Sequence, residues 1–151
     1  MSKEVQPTVL VVDDDPDFVA FVAATLEGGG FRVLRAYDGV EALEIARRTP
    51  PDLVTLDLQM PRKTGVLFYR QFKSEPRLRS VPVVIITGLR QANSYTAPFV
   101  DAFFDFNDPA IPKPDAFLDK PFDKESLLSL VRAKLAAPGK PEPGSDVQPG
   151  P

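Results

Sequence analysis

Five short apolar runs mark the chain, and most are followed by a segment of helical period. Thr8–Val12 (TVLVV) is continuous and β-branched, as a parallel strand buried on both faces should be. Asp15 then Pro16 predicts a helix start, with Phe18, Val19, Val22 and Leu26 on its apolar face and Gly28–Gly30 ending it. Phe31–Ala36 alternates like a second strand. Asp38 and Glu41 form a capping-box pattern for a helix that should bury Val40, Leu43 and Ala46 and stop at Pro50–Pro51. Leu53–Asp57 is the third predicted strand, and Val66–Phe72 a short helix with apolar positions at Val66, Leu67 and Phe72. Val81–Thr87 is the fourth strand and Ala116–Asp119 the fifth. Asp123 then caps a last helix with Leu127, Leu128, Val131 and Leu135 inward.

Strands alternating with helices imply a parallel sheet covered on both faces. The expected fold is α/β, a flavodoxin-like doubly wound (βα)5 arrangement with five parallel strands in the order 2-1-3-4-5. Residues 1–7 read as an N-terminal extension and 8–135 as the folded unit. Within it, 88–114 is an enlarged, irregular connection between the fourth and fifth strands. It holds an aromatic cluster, Phe99–Phe106, followed by Pro109, Pro112 and Pro114. Residues 136–151 are rich in Pro and Gly and have little to bury, so a disordered tail without a further output domain is expected.

Order 2-1-3-4-5 makes the first and third strands neighbours at the topological switch point, where such sheets bind ligands. Asp13 and Asp14 would then lie beside Asp57, with Thr87 and Lys120 ending the next two strands on the same edge. At an effective dielectric of about 20, two unit charges about 4 Å apart repel by roughly 4 kcal/mol, so such a pocket calls for a divalent cation and a lysine. The chain has no cysteine and no histidine. That removes thiolate and imidazole chemistry, leaves only oxygen ligands, and selects a hard ion, Mg2+ (or Mn2+). A carboxylate beside such an ion, with Lys120 and the Thr87 hydroxyl to meet phosphoryl oxygens, can act as a nucleophile on phosphorus. Asp57 is the central carboxylate and suits that role. Asp15 reads as a helix cap rather than a ligand.

In sequence, these motifs resemble those of the response-regulator receiver domains of two-component signalling. The matching residues are Asp13 and Asp14 in VVDDDP, Asp57 in LDLQMP with Pro61 and Gly65, Thr87 in VVIITG, and Lys120-Pro121 in FLDKPF. The resemblance covers roughly Val9–Leu135. It implies that Asp57 accepts the phosphoryl group and that Asp13, Asp14, Asp57 and the backbone carbonyl of Gln59 hold Mg2+. It further implies that Lys120 pairs with the phosphate, that Thr87 and Phe117 act as the switch, and that the Lys120-Pro121 bond is cis. Plain core packing is the competing reading of Phe117. Two departures stand out: Thr87 and Lys120 lie 33 positions apart, more than is usual in the family, and Gly88 stands where alanine is common.

The function so implied is that of a phospho-receiver rather than an enzyme, although it catalyses its own phosphorylation and dephosphorylation with Mg2+. A histidine kinase or phosphotransfer protein would supply the group, and a downstream protein target would read it, with phosphorylation-dependent homodimerisation left open. The alternative is a scaffold on the same fold that ignores phosphorylation. A phosphatase is disfavoured, because Gln59 stands where a general acid would be needed. The formal net charge is −3 and no basic stripe is evident, so nucleic acid is not an expected partner. Nor is a membrane: neither a spanning segment nor a signal-peptide pattern is seen, and a cytoplasmic location is expected.

Overall fold

The computed structural model describes residues 6–58, 60, 64–87 and 111–136. The elements among them run β1 (Thr8–Val12), α1 (Pro16–Gly28), β2 (Arg32–Ala36), α2 (Gly39–Arg48), β3 (Leu53–Leu56), α3 (Thr64–Ser74), β4 (Val83–Thr87), β5 (Ala116–Asp119) and α4 (Lys124–Ala136). The strands form one sheet in the order β2-β1-β3-β4-β5, and every adjacent pair is parallel. This is the expected flavodoxin-like doubly wound architecture. The aromatic cluster Phe99–Phe106, most of the 88–114 connection and nearly all of the N-terminal extension and tail lie outside the described residues.

Alternate residues of each strand feed two cores. Leu10, Val12, Val54, Leu56, Val83 and Ile85 face α2 and α3, where they meet Leu43, Phe68, Tyr69 and Phe72. Val9, Val11, Leu53, Val84 and Ile86 face α1 and α4, against Val19, Val22, Leu26, Leu127 and Val131. Burial on both faces explains why the strands read as continuous apolar runs. β5 is only half-buried along its length.

Local signals set the helix ends. The Asp15 carboxylate accepts the backbone N–H groups of Asp17 and Phe18, and Pro16 occupies the first turn of α1. Asp38 Oδ1 accepts the Glu41 N–H at 2.8 Å, while Glu41 reaches back to the N–H of Tyr37 at 2.8 Å. Asp123 Oδ1 caps α4 through the Ser126 N–H at 2.8 Å. Gly30, at φ +99°, supplies the left-handed turn out of α1.

Two expected core positions are overturned. Val40 is 66% exposed and Leu67 is 56% exposed. In α2 the inward stripe runs Gly39, Ala42, Leu43, Ala46, which puts Val40 to one side. In α3 it runs through Val66, Phe68, Tyr69 and Phe72, leaving Leu67 on the opposite side. Tyr69, not singled out from the sequence, is buried in this stripe and donates its hydroxyl to the Pro112 carbonyl. Leu128 and Leu135 of α4 are only partly buried. β4 begins at Val83 rather than Val81, because the backbone carbonyls before it are used differently. The Val81 carbonyl is taken by a lysine, and Pro82 has no N–H to give.

That lysine is Lys73, only 3% exposed at the end of α3. Its Nζ donates to the carbonyls of Arg79 (3.0 Å) and Val81 (2.6 Å) and lies 3.9 Å from Asp115 Oδ2. Burial holds its pKa below the ordinary lysine value, with the Asp115 charge opposing. The side chain thus ties α3 to the entry of β4. Replacing it with alanine strands two carbonyls and opens a cavity. Lys73→Ala should therefore lose about 2–4 kcal/mol, read as a lower urea midpoint at unchanged m-value.

Candidate functional site

The register of the sheet builds the site. Val12 pairs with Leu56, and the next residue on each strand is an aspartate. The Asp57 N–H donates to the Val12 carbonyl at 3.0 Å and the Asp13 N–H to the Ala36 carbonyl at 3.2 Å. Both acids are thus fixed at the last rung of the ladder, where the apolar layers end. One carboxylate oxygen from each of Asp13, Asp14 and Asp57 lies within 4.8 Å of the other two. Asp13 is 2% exposed and Asp57 4%, whereas Asp14 is open to solvent.

Lys120 arrives from the far end of the sheet. Thr87, the last residue of β4, pairs with Asp119, and Lys120 follows directly. Its Nζ lies 3.4 Å from Asp13 Oδ2 and 3.9 Å from Asp57 Oδ2. The Lys120-Pro121 bond is cis, as expected. Phe117 pairs with Ile85 and packs, partly buried, on the α2–α3 core. Gln59 and Gly88 lie outside the described residues.

Two contacts add residues to this constellation. A Cβ on Gly65 would stand 2.7 Å from the Asp57 carbonyl oxygen and 3.4 Å from the Leu58 Cα. The first turn of α3 therefore rests on the backbone that carries Asp57, and only glycine allows that approach. Phe18, read from the sequence as part of an apolar helix face, sits with its ring centroid 4.2 Å from Lys120 Nζ. Nothing local in the sequence separates this ring from an ordinary core-facing position.

Residues 9–132 match the family model of the response regulator receiver domain. The chain belongs to that family. Among curated relatives, the DNA-binding dual master transcriptional regulator RpaA of Synechocystis is 34% identical over 85% of this chain and 49% of its own length. The chain thus spans about half of RpaA. Protein PilH of Pseudomonas aeruginosa is 31% identical over 85% of this chain and 97% of its own length. Among solved structures, the signal receiver domain of a signal transduction histidine kinase from Syntrophus aciditrophicus superposes with a TM-score of 0.74 at 26% identity. That match covers 91% of this chain and 96% of the other.

Receiver domains bind Mg2+ at an acidic pocket, and the donors here fit that ion. Among the described residues three carboxylates face one ammonium group, so this part of the pocket carries excess negative charge and offers hard oxygen ligands. Asp13 registers the crowding. Burial pushes its carboxyl above the usual range, and the Asp14 charge adds to this. The Asp15 N–H, at 3.0 Å from Oδ1, and Lys120 pull it back down.

A carboxyl whose pKa is raised by folding binds its proton more tightly in the native state. Its penalty is therefore absent below the unfolded pKa and grows as pH rises through the folded one. The metal-free receiver therefore loses stability as pH rises through that range. Asp13→Asn should raise metal-free stability relative to wild type, more at neutral pH than in acid. Wild type should be stabilised by millimolar Mg2+, and the variant much less. Urea unfolding at two pH values, with and without Mg2+, measures both effects.

Proposed function

We propose that this receiver accepts a phosphoryl group on Asp57 from a phosphohistidine-bearing kinase or phosphotransfer protein, and that the modified state signals to a protein partner. The observation that carries this reading is the meeting of buried Asp57 with Lys120 Nζ at 3.9 Å and with the carboxylates of Asp13 and Asp14. A buried carboxylate facing both a cation and a ligand set for a second cation is equipped to meet a dianionic group.

In the proposed reaction an Asp57 carboxylate oxygen forms the O–P bond in line as the P–N bond of phosphohistidine breaks. Asp13, Asp14, Asp57 and the Gln59 backbone carbonyl would hold Mg2+, or Mn2+ in its place. The ion would supply charge neutralisation for the transferring oxygens. Lys120 offsets charge on a second oxygen. The Gly65 approach fixes the Asp57 backbone, so the carboxylate presents one geometry to the phosphorus. Thr87 ends β4 at this edge, and we assign its hydroxyl the task of following the phosphoryl group. Phe117, two rungs back on β5, is assigned the coupled aromatic switch.

Among the described residues no helix is long and apolar enough to cross a membrane. A cytoplasmic setting for the relay is part of this proposal.

Incubation with acetyl phosphate followed by intact-mass measurement tests the reading. Wild type with Mg2+ should gain a single phosphoryl adduct, and Asp57→Ala none. Lys120→Ala should slow its appearance by roughly 100–1,000-fold, the usual effect of removing one preorganised electrostatic contact. No adduct on wild type with Mg2+ would overturn the assignment of Asp57.

A further inference from the structure

Lys120 is held by partners of two kinds. The carboxylates of Asp13 and Asp57 lie at 3.4 and 3.9 Å, and the Phe18 ring centroid at 4.2 Å. That ring distance is well inside the range of about 6 Å over which the face of an aromatic ring attracts an ammonium group. The ring is itself fixed. Phe122 meets it edge-on, at 5.9 Å and 84°, and Phe21 packs against it at 6.2 Å and 40°. Phe21 and Phe122 touch each other at 6.2 Å, which closes the triangle. The lysine and one wall of its seat thus come from the same stretch, 120–122, and the seat itself from the first turn of α1.

We propose that Phe18 is a positioning residue for Lys120, holding the ammonium beside Asp57 through a cation–π contact. The proposal rests on Asp57 as phospho-acceptor. A lysine has a flexible four-carbon stem, so its contribution to transfer depends on how often the ammonium stands at the right edge of the carboxylate. A fourth carboxylate would hold it as well, but would add charge to a pocket that already has three and must admit an anion. The ring attracts the cation without adding a net charge. Neither the carboxylates nor their mutual distances depend on the ring, so metal affinity should be indifferent to it.

Phe18→Leu removes the aromatic face and keeps an apolar side chain, and Phe18→Tyr keeps the face. In Phe18→Leu the rate constant for phosphorylation by acetyl phosphate at saturating Mg2+ should fall by about three- to tenfold. Mg2+ affinity should stay at the wild-type value, and Phe18→Tyr should restore the rate. NMR of the Lys120 ε-methylene gives a readout independent of transfer. Its protons should be shifted upfield by the ring current in wild type and Phe18→Tyr, and should move to the free-lysine position in Phe18→Leu. An unchanged rate, an unchanged Lys120 resonance, a loss of Mg2+ binding in parallel with the rate, or a Phe18→Tyr variant as slow as Phe18→Leu would each overturn the proposal. If wild type takes up no phosphoryl group, the reading of Asp57 falls. The Lys120 resonances then decide by themselves whether the ring holds the lysine.

Discussion

The parallel pairing of β1 with β3 is the constraint on which the site depends. Because Val12 and Leu56 share a rung, the chain must turn from apolar to acidic at the same height on two adjacent strands. The ladder that buries the core therefore also forces Asp13 and Asp57 together at its end, against their mutual repulsion. The rest of the site compensates. Lys120 comes from the residue after β5, the Asp15 N–H turns back onto Asp13, and α3 presses a glycine onto the Asp57 backbone. Folding energy, chiefly from the two apolar layers, holds a charge cluster that would disperse in water. A site of this kind is poised to bind cations and, through them, anionic groups.

Much of this was legible in the sequence because its signals are local or follow from one topological rule. Continuous apolar runs mark doubly covered strands, the Asp15-Pro16 and Asp38/Glu41 patterns mark helix starts, and alternation with helices implies a parallel sheet, for which five strands favour the flavodoxin-like order. Once that order is granted, Asp13, Asp14, Asp57 and Lys120 converge without further assumption. What the sequence left open depends on helix phase and on contacts between distant elements. Val40 and Leu67 differ from their buried neighbours only by a rotation about the helix axis, and an apolar residue next to the stripe resembles one in it. Lys73 is buried because two carbonyls far along the chain accept its protons, which no local pattern announces. Phe18 is apolar at a core-facing period, and its nearness to Lys120 exists only once α1 and the β5–α4 turn are packed side by side.

The same packing links the site to the two faces of the sheet. Asp57 rests on α3 through Gly65, on the face built by Phe68, Tyr69 and Phe72. Lys120 rests on α1 through Phe18, on the other face. A group added between Asp57 and Lys120 would therefore touch both layers at once, beside the half-buried β5 strand.

The measurement closest to the central claim is chemical location of the acceptor. Borohydride reduction converts an aspartyl phosphate to homoserine, which peptide mass mapping places to the residue. After incubation with acetyl phosphate and Mg2+, the account predicts homoserine at position 57 and at no other aspartate, and none when Mg2+ is chelated first. Homoserine at position 13 or 14, or an unmodified Asp57 in a protein saturated with Mg2+, would contradict it.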